Sequence, residues 1–266
     1  MRRTLLVFLL LALGSLQLLI AQPQTKSILG VMDMEMIERL MPMVPGVSLF
    51  ENGNVEEQNI KPYLMPVRRV ENNGSEESYL MASCLEYYVN LNKNYKVNLS
   101  PDYISLNLRN QGKKVDFKTA FQQMAETGTV SAAIMPYGSS QLTAAVYATQ
   151  KFNILNYLIL YRDMTRERQK IFELKKALIR GNPVIVELLA EASLPRAYGQ
   201  SQVSISNKGQ ESYALMVVGF DETRKAFELM SPWGSQWGKA GYLWISYDDL
   251  SRQSTAAYVM VPNVQW

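Results

Sequence analysis

The chain has 266 residues, 47% of them apolar and 19% charged, with a formal net charge of +3. This is enough for one large domain or two small ones with a sizeable core, and the near-balanced charge gives no compositional reason to expect a nucleic-acid or anionic-surface partner. Histidine is absent and cysteine occurs once, at Cys84, which excludes an internal disulfide, a Cys/His zinc site and a Ser-His-Asp triad.

In chain order, Met1-Arg2-Arg3 precedes an apolar run from Leu5 to Ala21 interrupted by Gly14, Ser15 and Gln17. A basic start and a short apolar core predict a secretory signal over residues 1–21, cleaved after Ala21. If retained, the run is just long enough to anchor the chain in a bilayer. The mature chain is therefore expected to be exported, to a periplasm, a cell surface or the medium. Membrane association is expected only through an uncleaved segment or an envelope complex. Residues 22–57, with Met32, Met34, Met36, Met41 and Met43 broken by Pro42 and Pro45, read as an extension that packs on the body or meets a partner. Residues 58–266 form the domain proper.

From Gly74 the spacing of Leu80, Cys84, Tyr87, Tyr88 and Leu91 predicts a helix with one apolar stripe, which places Cys84 in the core. Ser100-Pro101 has the N-cap then first-turn order of a second helix. Phe117 to Glu126 reads as a third, closed by Gly128, and Arg166 to Arg180 as a fourth, amphipathic one ended by Asn182-Pro183. Strands are predicted at Val184–Leu189, Ala214–Phe220, Ala226–Met230 and Tyr242–Ile245. Helices first and strands afterwards make an α+β layout with two lobes. Gly234, Gly238 and Gly241 do not have the spacing of a dinucleotide fingerprint. No EF-hand-like loop is present, so neither a cofactor nor a metal is expected.

The segment Ser231-Pro232-Trp233-Gly234-Ser235-Gln236-Trp237-Gly238-Lys239-Ala240-Gly241-Tyr242 resembles the Asn-Ser-Trp-Gly-x-x-Trp-Gly-x-x-Gly-Tyr signature of the papain-like (C1 family) cysteine peptidases, in their compact bacterial form. Tyr213-Ala214-Leu215-Met216-Val217-Val218-Gly219-Phe220-Asp221 is similar to the family's His-Ala-x-x-Val-Val-Gly-Tyr-Asp. Pro66-Val67-Arg68-Arg69-Val70 followed by Gly74-Ser75-Glu76-Glu77-Ser78-Tyr79 resembles Pro-Val-x-x-Gln followed by Gly-Ser-Cys-Trp-Ala-Phe. Glu86, Leu99-Ser100 and Pro136-Tyr137 fall where the family carries a helix glutamate, a Leu-Ser and a Pro-Tyr.

The resemblance implies a papain-like two-lobe fold, with a helical N-terminal lobe and an antiparallel C-terminal one. It also implies that four catalytic positions are replaced. Glu76 stands for the nucleophilic cysteine, Tyr213 for the histidine, Ser231 for the asparagine that orients it, and Val70 for the oxyanion-hole glutamine. A thiol nucleophile needs a base to lower its pKa and return the proton, so the expected protein is a pseudopeptidase that binds a peptide or protein partner. It is expected to act as a subunit of an envelope or surface assembly. Glu76, Glu77, Tyr213 and Trp233 are its candidate cleft residues, and Tyr213 is expected to donate a hydrogen bond to Glu76 across the lobe interface. The alternative is a hydrolase with relocated chemistry. Cys84 under a shifted alignment is disfavoured by Leu85-Glu86, which replaces the aromatic continuation, and no Ser-x-x-Lys occurs.

Overall fold

The computed structural model describes residues 29–49, 55–71, 74–113, 115–205 and 209–266; the signal segment expected over residues 1–21 lies outside them. The described elements run α1 (Met34–Leu40), β1 (Glu57–Asn59), α2 (Glu76–Lys93), α3 (Pro101–Asn110), α4 (Phe117–Glu126), β2 (Ile154–Arg162), α5 (Glu167–Ile179), β3 (Val184–Ala190), β4 (Gln202–Val203), β5 (Glu211–Asp221), β6 (Ala226–Met230), β7 (Tyr242–Ser246), α6 (Tyr247–Gln253) and β8 (Ser254–Pro262).

The predicted helix starts are set by their caps. Ser75 accepts from the Ser78 amide while the Ser78 hydroxyl accepts from the Ser75 amide, a reciprocal box that opens α2. Ser100 caps α3 ahead of Pro101, and Asp116 caps α4 with Thr119 answering. All the predicted strands form. The structure adds α1, β1, β2, β4, β8 and the short α6, which the periodicity did not predict.

The strands make one sheet in the order β2-β8-β3-β5-β6-β7-β4, with β1 on β5. The neighbours are antiparallel except for β4 beside β7. Alternation on β5 divides the interior. Ala214, Met216 and Val218 join a cluster with Leu80, Leu85, Ile104 and Phe121 of α2–α4. Leu215 and Val217 face a second cluster with Leu174 and Leu178 of α5 and Leu250 of α6. The helical lobe therefore sits on one face of the sheet and the amphipathic helix on the other.

Residues 29–49 are part of this body. Val31 takes and gives backbone hydrogen bonds at the exposed edge of β2, from its amide to Tyr157 at 3.0 Å and to its carbonyl from Ile159 at 2.8 Å. Ile37 and Val44 are fully buried. The amides of Val44 and Leu49 donate to the carbonyls of Arg180 and Ile179, groups at the C-terminal end of α5 that have no partner within the helix. Gly181 ends that helix at φ +82°, and a Cβ there would lie 2.9 Å from Val44 Cβ, so the extension packs where only glycine leaves room. Four of the methionines, Met32, Met34, Met36 and Met43, remain exposed while Met41 is buried. No helix among the described residues is long and apolar enough to cross a membrane.

Candidate functional site

The candidate residues meet where the N-terminus of α2 reaches β5 and the loop between β6 and β7. Glu76 is the first residue of α2, a position whose unpaired amides favour an anion. One of its carboxylate oxygens accepts from Trp233 Nε1 at 2.7 Å and the other from the Ala214 amide at 3.3 Å. Burial pushes its carboxyl above the ordinary value, against the opposing pull of these two hydrogen bonds, and the neighbouring Glu77 pushes in the same direction.

Tyr213 does not donate to Glu76, and that expectation is corrected. Because side chains alternate along a strand, Ala214 faces α2 while Tyr213 points to the opposite face of β5, towards the second cluster. Its ring meets the edge of Trp233 at 5.5 Å and 89°. Trp233 is thus the link between the two predicted partners, with its indole nitrogen on Glu76 and its ring on Tyr213. Partial burial, then the carboxylates of Glu211 and Glu76, hold the Tyr213 phenol above its ordinary value, and Arg196 pulls the other way.

The loop that carries Trp233 is held firmly. Trp237 is fully buried, packs against Trp233 at 5.3 Å and donates its indole N–H to the Leu194 carbonyl at 2.8 Å. Ser231 is fully buried, and its hydroxyl accepts from the Trp233 amide at 3.3 Å. It orients the loop's backbone and lies within the core. Val70 enters through its backbone, its amide donating to the Pro232 carbonyl at 2.9 Å. Glu77 is half-buried beside Glu76.

Cys84 lies two turns into α2, fully buried, with its thiol pushed far up by burial alone. It is not presented to the cleft. In the native protein it should resist a soluble disulfide reagent, being labelled only through opening of the fold and far more slowly than in the unfolded chain. Rapid stoichiometric labelling in native buffer would contradict this placement.

Glu86 is also buried. Arg68 donates to both of its oxygens at 2.6 and 2.7 Å, and the Leu99 amide adds a third contact at 2.7 Å. It ties the segment before the cleft to α2 and the start of α3, a structural role. Two residues of this region were not singled out from the sequence, Arg69 and Tyr198. Arg69 occupies a variable position of its motif, and Tyr198 stands in a loop without periodicity. No cluster of three or more Asp, Glu or Cys side chains among the described residues could hold a metal ion.

The body is α+β, with the helical lobe on one sheet face and α5 and α6 on the other, and its site lies where a helix N-terminus meets a Trp-Gly loop. A family profile described as papain family cysteine protease matches residues 53–262. The chain belongs to that family. A cysteine protease from Carica candamarcensis, solved with the inhibitor E-64, has a TM-score of 0.60 at 16% identity over 80% of this chain and 100% of its own. The bromelain protease from Ananas comosus, also solved with E64, gives 0.62 at 17% over the same shares. Xylellain, a cysteine protease from Xylella fastidiosa, gives 0.59 at 15% over 88% of this chain and 95% of its own. At these identities the structures share the fold. None of the curated proteins compared matches.

Proposed function

We propose that this chain is a non-proteolytic member of the papain family, exported from the cell, whose cleft holds a peptide or protein partner within an envelope or surface assembly. The observation that carries this reading is the state of position 76. A carboxylate stands there with one oxygen on the Trp233 indole and the other on the Ala214 amide. Its pKa lies above the ordinary value but no nucleophile or imidazole accompanies it, since the chain contains no histidine and its one cysteine is buried. A glutamate so engaged stabilises the junction between α2 and the Trp233 loop instead of taking part in bond cleavage. The basic start and apolar run over residues 1–21 support export.

The reading is tested with the purified full chain and a broad peptide library, followed by mass spectrometry and by retention of peptides on the immobilised protein. Intact peptides with a retained subset are expected. Turnover abolished by Glu76→Ala, or activity that disappears when Cys84 is alkylated, would replace this reading with that of a working hydrolase.

A further inference from the structure

Beside the Glu76 site lies a second, unassigned feature, a cavity of ≈ 230 Å³ walled by Val67, Arg69, Tyr198, Trp233 and Gln236. It is smaller than the ~300–1,000 Å³ of pockets for drug-sized ligands, and suits one residue of a peptide. The consecutive arginines Arg68 and Arg69 are used in opposite ways. Arg68 is bound to buried Glu86. Arg69 is exposed, and among the described residues no carboxylate pairs with it.

The placement of Arg69 is nonetheless fixed. Its backbone forms a bridge with Trp233, and the next amide, that of Val70, donates to Pro232. Gly234, at φ +89°, lies under it so closely that a Cβ there would sit 3.0 Å from Arg69 Cβ. Tyr198, which also lines the cavity, is held by backbone bridges to Trp237 and Gly238 and is 57% exposed. Neither Glu76 nor Glu77 lines the cavity, and the oxygens of Glu76 are turned to Trp233 and Ala214. Arg69, with five guanidinium donors, and Tyr198, with a phenol, thus wall the same small space as Trp233, and among the described residues no anion pairs with that guanidinium.

We propose that this pocket takes a peptide carboxylate, either a C-terminal carboxylate or an Asp or Glu side chain, gripped by Arg69 with Tyr198 as a second donor and with the rest of that residue against Trp233 and Val67. The proposal deepens the cleft-binding reading and rests on it.

The test uses the full chain and fluorescence polarisation with three dye-labelled hexapeptide pools. One is neutral with a free C-terminal carboxylate, one neutral and C-terminally amidated, and one amidated with a single internal Asp. At least one carboxylate-bearing pool should bind ~10-fold more tightly than the neutral amide, and which one does so distinguishes the terminal from the side-chain source. Arg69→Gln should abolish that preference, bringing the carboxylate-bearing pools to the affinity of the neutral amide for the same variant. Equal binding of all three pools, or a carboxylate preference that survives Arg69→Gln, overturns the Arg69 pocket while the cleft reading stands. Absence of binding by every pool overturns both.

Discussion

Replacing Asn182 by alanine should destabilise the protein by about 2–4 kcal/mol, because it strands polar partners in two distant parts of the chain. Asn182 follows the end of α5 and is fully buried. Its Oδ1 accepts from the Tyr88 hydroxyl at 2.9 Å, and its Nδ2 donates to the Pro42 carbonyl at 2.8 Å. One amide side chain therefore joins the N-terminal extension, the central helix α2 and the α5–β3 turn. The alanine variant leaves the Tyr88 hydroxyl, which is wholly buried, without an acceptor. Tyr88→Phe alone leaves the Asn182 oxygen unpaired instead. The double variant removes both halves of the bond, so its cost should fall short of the sum of the single costs by about 0.5–3 kcal/mol. Urea denaturation of the four proteins measures the cycle. Additive costs would show that the Tyr88 hydroxyl is not held by Asn182, and a loss well under 1 kcal/mol for Asn182→Ala would show that this residue does not join the extension to α2 and the α5–β3 turn.

The same junction shows which parts of the molecule were legible in the sequence. The helix α2 was, because its apolar stripe and Ser75 cap are local signals, and so were α3 and the end of α5, marked by Ser100-Pro101 and Asn182-Pro183. The strand β2 was not. Six consecutive residues, Asn156 to Tyr161, are buried in it, so it shows neither the alternation of a half-exposed strand nor a helical stripe. The strand β8 carries Ala256-Ala257 and gains its state from lying between β2 and β3, a tertiary cause that propensity does not register. The helix α6 spans seven residues, too few to display a period.

Within the site, the motif resemblance located Glu76, Tyr213, Ser231, Val70 and Trp233 in one neighbourhood, but it could not assign their partners. Which side chain meets which depends on strand facing. The alternation on β5 offers Glu76 a backbone amide from residue 214 and sends the residue 213 ring to Trp233. Residues 22–57 gave only composition, and the described part of them lines neither the Glu76 site nor the Arg69 pocket. Residues 29–49 instead pair with the edge of β2 and cover the C-terminal end of α5.

Glu76→Ala should cost about 1–2 kcal/mol at neutral pH, and its cost should grow as the solution is acidified. The loss at neutral pH has two sources. The Trp233 indole N–H and the Ala214 amide lose their acceptor, and the N-terminus of α2 loses a favourable anion. Relief of carboxylate burial offsets part of both, since desolvation is the largest influence on Glu76 and raises its pKa above 4.5. The direction of the pH effect follows from that shift. An acid whose folded value lies above its unfolded value holds its proton more tightly in the folded state. The wild type therefore gains stability as pH falls through the raised value towards 4.5, the contribution being absent well above it. The alanine variant has no such gain, so the difference between the two proteins widens on acidification. Thermal or urea unfolding across that interval reads it directly. A difference that narrows instead would mean that the hydrogen bonds from Trp233 and Ala214 outweigh burial and hold the Glu76 carboxyl below its ordinary value. Because Trp233 also lines the Arg69 pocket, Glu76→Ala should weaken carboxylate peptides and neutral amides by a common factor, whereas Arg69→Gln removes the difference between them.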